Sequence, residues 1–166
     1  AGLLSVAGAG AVATVAAPAG PGGETRVTLG ADAAVPAASG RIEVTAGGLM
    51  RMLGSAQDPT GTARLEVGPV FGRGAVVLDA GTLSMSGYAD ARVQIGNPSG
   101  SGTITLTNAG QLNLTGNTRT VLDIGSQGTA TVEVASGSVI DLGGVGEVQV
   151  GGPGADQNFS TGTLRI

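Results

Sequence analysis

Few residues in this 166-residue chain could do chemistry. It has no Cys and no His, and its eight basic residues are all Arg. Without His, Cys or Lys the common nucleophile–base pairs cannot be assembled. Thiolate metal sites and disulfides are excluded as well. Carboxylate chemistry remains. Glu66 and Asp123 hold equivalent positions in two copies of a repeated five-residue figure, with Gln94 in the copy between them. If the copies stack as neighbouring strands, the two acids stand about 9.6 Å apart, twice the usual strand spacing. That is near the wide end of the range of about 6.5–9.5 Å for inverting glycosidases. The acids do not otherwise cluster, so the expectation is two solvated carboxylates on a polar face. Aromatic residues are 2 % of the chain, which leaves little to stack against a sugar ring. No catalytic residue, metal site or cofactor is assigned.

Three further patterns carry possible binding chemistry. Gly151-Gly152-Pro153-Gly154-Ala155-Asp156 matches the start of the calcium-binding nonapeptide. It occurs once, Asn158 replaces the large apolar residue, and such ions sit between tandem copies, so a glycine loop is the expectation. Thr103-x-Thr105 and Thr129-x-Thr131 are threonine pairs expected to stack in adjacent coils. Flat threonine rows suit ice binding, but Arg41/Glu43, Ala75/Val77 and Thr163/Arg165 flank them, so outward strand threonines suffice as an account. The third pattern is an arginine ladder. Arg26, Arg64 and Arg92 open three consecutive copies of the figure and are expected to form a row on one edge. Such a row pairs with nearby acids such as Glu24, Glu66 and Asp90, or receives an anionic partner, namely an acidic glycan or lipopolysaccharide. Glu147 opens the last copy, giving the row opposite ends of opposite charge, suited to head-to-tail self-association.

The elements that must position these residues are read from the figure itself. Arg92-Val93-Gln94-Ile95-Gly96 alternates apolar and polar residues and closes on glycine. It recurs from Arg26, Arg64, Val121 and Glu147, with closing glycines at 30, 68, 96, 125 and 151, hence steps of 38, 28, 29 and 26. A near-constant period in this range marks a stacked repeat. Glycine is 32 of 166 residues, against about 7 % in ordinary proteins. So many glycines oppose helices, costing about 1 kcal/mol each inside them, and suit sharp corners. Few aromatics and 41 % hydrophobic residues imply a thin core of Val, Leu, Ile and Ala.

The chain therefore reads as all-β, a parallel β-helix (β-solenoid) of about six coils with roughly three short strands each. Residues 1–23 form an irregular first coil or N-terminal cap, with a strand at 12–15. Residues 24–166 carry the repeats, the last coil incomplete. Period-2 alternation turns one face inward, from Val27 and Leu29 in the first copy to Val148 and Val150 in the last. Gln94 points outward and is expected to tolerate Asp. On the usual spacing the six coils form a rod about 29 Å long. Its last strand leaves an open edge, so a longer parent chain or stacking on another copy is expected. Ala16-Ala17-Pro18-Ala19 loosely resembles a cleavage site but lacks a positive n-region, and Gly and Pro18 interrupt residues 1–23 too often for a membrane span. The net charge of −4 offers no dense basic surface for nucleic acid.

The units from Arg92 to Ile166, such as Ile95-Gly96-Asn97 followed by Gly102-Thr103-Ile104-Thr105-Leu106-Thr107-Asn108-Ala109-Gly110, resemble the tandem β-strand repeats of bacterial autotransporter (type V secreted) passenger proteins. The resemblance weakens from Arg26 to Gly87. It implies a right-handed parallel β-helix that is secreted to the extracellular space or bacterial cell surface. It also implies a non-catalytic role as shaft, fibre or adhesin stalk. The alternative is a carbohydrate-active β-helix enzyme or tailspike-like depolymerase.

Overall fold

A computed structural model describes residues 1–17, 22–30, 38–55, 60–96, 99–151 and 160–166. Among them there are sixteen strands and no helix. The strands are β1 (Gly2–Ala7), β2 (Val12–Ala16), β3 (Glu24–Leu29), β4 (Ser39–Thr45), β5 (Leu49–Leu53), β6 (Thr62–Val67), β7 (Arg73–Asp79) and β8 (Thr82–Ser86). They continue with β9 (Asp90–Ile95), β10 (Ser101–Thr107), β11 (Gln111–Asn113), β12 (Arg119–Ile124), β13 (Thr129–Val134), β14 (Val139–Asp141), β15 (Gly146–Val150) and β16 (Thr161–Arg165).

Every third strand joins the same sheet, and every pairing is parallel. Sheet A runs β1-β4-β7-β10-β13-β16, sheet B β2-β5-β8-β11-β14, and sheet C β3-β6-β9-β12-β15. The result is a three-sided parallel β-helix of five coils plus the sheet A strand of a sixth. The five-residue figure is the sheet C strand of each coil. Residues 1–17 are more regular than expected. They supply β1 and β2, which pair in register with β4 and β5, because Leu4-x-Val6 repeats the inward spacing of Ile42-x-Val44.

The alternation decides what is inside. Leu65, Val93, Val67, Ile95 and Ile124 on sheet C pack against Ile42, Val76, Ile104, Met50, Leu83 and Leu112 from the other sheets, all at most 1 % exposed. Burying such a side chain is worth about 1.5–3 kcal/mol. Val148 and Val150 point the same way but are 44 % and 47 % exposed, since among the described residues no sheet C strand follows β15. Val27, Val134, Ile140 and Leu142 are half-buried near the two ends of the stack.

The corner from sheet C to sheet A explains the closing glycine. Gly68, Gly96 and Gly125 take φ of +68°, +69° and +67°. A Cβ on Gly96 would stand 2.2 Å from the Thr129 carbonyl oxygen at the start of β13. Both the left-handed backbone and the contact exclude any side chain there.

Candidate functional site

The outer face of sheet C carries the expected ladder. Arg26 pairs in register with Arg64, and Arg64 with Arg92. The column continues through Val121 to Glu147. None of the three arginines is left bare. Arg26 donates to Glu66 at 2.6 Å, Arg64 lies 3.2 Å from Glu24, and Arg92 donates to Asp90 at 3.1 Å. Arg119, one coil on, holds both Asp90 at 3.6 Å and Glu147 at 3.0 Å. The first two pairs cross diagonally between coils 1 and 2, so each guanidinium is neutralised by an acid of the neighbouring coil. Between coils 2 and 3, by contrast, Arg64 faces Arg92 and no ion pair joins the described residues.

These contacts set the titration of the face. The hydrogen bond from Arg26 to Glu66, and that from Arg92 to Asp90, raise each guanidinium above its ordinary value. Glu147 is held below the usual carboxylate range, first by a hydrogen bond from Gln149 and then by Arg119. The arginines of the ladder thus have carboxylates already in place. An anionic partner on this row has to displace Glu24, Glu66 or Asp90.

Glu66, Gln94 and Asp123 share one column two residues further along, as their common repeat position requires. The two acids are not solvated. Glu66 is 7 % and Asp123 6 % exposed. Glu66 accepts from Arg26 and from the Thr28 hydroxyl at 3.2 Å, whose long and short side chains close over it. Asp123 accepts from the Ser126 hydroxyl at 2.7 Å and its backbone N–H at 3.3 Å, in the corner that follows β12. Both carboxylates are thus taken up by protein donors.

Threonine rows exist on sheet A, in a register different from that expected. Thr129-x-Thr131 lies beside Ser101-x-Thr103, not beside Thr103-x-Thr105, and Thr105 faces Glu133. The inward column Gly74–Gly102–Ala130–Gly162 sets this alignment. Thr161 and Thr163 extend it. The six hydroxyls of Ser101, Thr103, Thr129, Thr131, Thr161 and Thr163 form two columns of three, none engaged by another described residue. Elsewhere hydroxyls are put to use: Thr107 donates to Asp79 at 3.0 Å and Thr120 to the Leu142 carbonyl at 2.7 Å.

Of the calcium-like sequence at 151–156, residues 152–156 lie outside the described residues, as do Asn158 and Phe159. Among the described residues no group of three or more His, Cys, Asp or Glu could hold a metal. No helix there is long and apolar enough to cross a membrane. In the interior, Tyr88 and Thr25 bury hydroxyls that have no partner in hydrogen-bond geometry. Burial pushes the Tyr88 phenol up, partly offset by Thr25 beside it.

Two arginines escaped the reading by repeat position: Arg73 at the start of β7 and Arg51 on β5. Among the described residues they are the two of the eight arginines with no acid partner. Arg73 stands in a column with Ser39 and Ser101, and Arg51 with Thr14 and Ser84, so neither has an acid directly beside it. Aligning sheet A on its glycine column would have exposed Arg73. Compared with known proteins, the chain matches no family model, no curated protein and no solved structure.

Proposed function

We propose that the chain is a non-catalytic segment of a secreted bacterial surface β-solenoid, serving as shaft, fibre or adhesin stalk. The observation that carries this reading is the uninterrupted in-register stacking of three parallel sheets, with four of the five ion pairs of sheet C joining one coil to the next. Such a body gains length and stiffness by adding coils, each satisfied mainly by its neighbours. Its partners are further repeats of a longer chain or other copies of itself, and an anionic glycan or lipopolysaccharide. The resemblance to autotransporter passenger repeats supports the cell-surface placement.

The test has two arms. Antibody raised to this chain should label intact cells of the source bacterium, and the labelled material should be protease-accessible without lysis. In parallel, the purified chain should leave neutral and acidic polysaccharides uncleaved. Labelling only after lysis overturns the surface reading. Turnover abolished by Asp123→Ala or Glu66→Gln establishes the enzyme instead.

A further inference from the structure

We propose that β16 is a removable cap, and that its place against β13 is the docking site for the first coil of a second copy of this chain. The path of the chain sets the geometry. Successive strands climb through sheets A, B and C, so the strand after β15 belongs on sheet A, beside β13. β16 holds that place. A second copy that continues the coils head to tail needs it for β1, with β2 on β14 and β3 on β15. With β16 present, β1 of that copy stacks only on β16, and a gap one strand wide is left over β14 and β15.

The two ends match column by column. Extending the observed registers sets Leu4 of the second copy on Val132, Val27 on Val148 and Leu29 on Val150. Leu4, Val148 and Val150 are all exposed in the single chain, and an apolar hollow of about 360 Å³ opens between Ile140, Val148 and Leu164. Arg26 falls on Glu147, and no like charges meet in register. Glu147 then bridges Arg119 and the second copy's Arg26, as Asp90 bridges Arg92 and Arg119.

One glycine column is the most selective feature. A Cβ on Gly162 would stand 2.1 Å from the Ile124 carbonyl oxygen and 2.5 Å from the Gly151 nitrogen. The position beside Ala130 therefore has no room for a side chain. The residue that β1 brings there is Gly2, around which the single chain leaves open space. β16 is lightly held. It pairs with one strand, its Leu164 is half-buried, and its Arg165–Glu133 ion pair is exposed, where such pairs add little. Its release gives up one strand ladder, and docking forms three. This interface rests on the self-association proposed above and gives it a site and a restraint.

The experiment is sedimentation of the full 166-residue chain and its variants, with circular dichroism to check the fold and hydrogen exchange at 161–165 to follow β16. Gly162→Val should release β16 and lower the concentration needed for assembly at least about tenfold, because more chains become competent to dock. The assemblies should be rods that lengthen end to end in electron micrographs. Leu164→Asp should act likewise by a different route, so one variant serves if the other does not fold. Adding Gly2→Val to either should return the chain to monomer. Gly2→Val alone should leave the parent's urea midpoint unchanged, since its Cβ strikes nothing in the single chain. The proposal is overturned if a folded variant with β16 released assembles no better than the parent, or if Gly2→Val leaves its rods intact. It is equally overturned if neither variant folds, because β16 is then part of the fold and not a cap. Antibody labelling of intact cells by a chain that never assembles would keep the surface reading and remove this interface.

Discussion

Sheets A and C are built by the same alternation, yet their outer faces spend polar residues differently. On sheet C, Arg26, Arg64, Arg92 and Arg119 are each tied to an acid, four of the pairs crossing from one coil to the next. On sheet A, Arg73 and six hydroxyls have no partner among the described residues, while Arg41–Glu43, Glu133–Arg165 and Thr107–Asp79 pair. A polar side chain already committed to the next coil is part of the scaffold. One left unengaged on a flat, stable sheet is available to a ligand at no cost to the stack.

The largest effect should come from the core that both faces share. Ile95→Asp places a charge at a site that is 0 % exposed and has no cation to meet it. Folding should fail, or the stack should break at coil 3, read as loss of the β signal in circular dichroism. Val150→Asp, in the same column but 47 % exposed, should fold.

Next is Gln94→Asp, which fills the gap between Glu66 and Asp123 with a third carboxylate. Like charges on successive strands repel by about 1 kcal/mol per pair in water and about 4 kcal/mol near a protein surface. A loss on the order of 2 kcal/mol in urea unfolding is expected, where Thr103→Asp on sheet A should stay within about 0.5 kcal/mol. Repulsion raises the pKa of the introduced acid in the folded state. The penalty should therefore be present at neutral pH and shrink as pH falls through the carboxylate range, relative to the parent at each pH. Equal costs for Gln94→Asp and Thr103→Asp would erase the distinction between the faces.

The smallest effect is Arg26→Gln, which leaves the buried Glu66 with Thr28 as its remaining donor among those described. Because Arg26 is half-exposed and solvent screens the pair, about 1 kcal/mol is expected. Adding Glu66→Gln should recover part of it. Arg51→Gln, which breaks nothing, should be silent. A double-mutant coupling of zero would mean that the sheet C pairs are merely adjacent.

Much of this fold was legible in the sequence because two signals coincide. The figure Arg92-Val93-Gln94-Ile95-Gly96 gives an inward face by alternation and a corner by its left-handed glycine. Copies of equal length then fall into register, which is why the Arg26–Arg64–Arg92 row was readable before any geometry. Burial of Glu66 and Asp123 was not. Alternation says which way a side chain leaves the sheet, not whether Arg26 or Ser126 closes over it. The threonine rows were misaligned because matching Thr-x-Thr to Thr-x-Thr ignores the inward Gly102–Ala130 column that sets the phase. Gln94→Asp reads as harmless only if the flanking acids, Glu66 and Asp123, are solvated, and both are buried.

The bare seam between coils 2 and 3 has a mechanical consequence. Under tension along the rod, every coil boundary resists with similar backbone ladders, but the ties added by side chains differ. Coils 1 and 2 are cross-braced by two opposed pairs, and coils 3 to 5 are chained through Arg119. Where Arg64 meets Arg92 the brace is replaced by repulsion, which grows as ionic strength drops. A rod pulled at both ends should part there first, and in dilute salt at lower force, leaving each half closed by its own network.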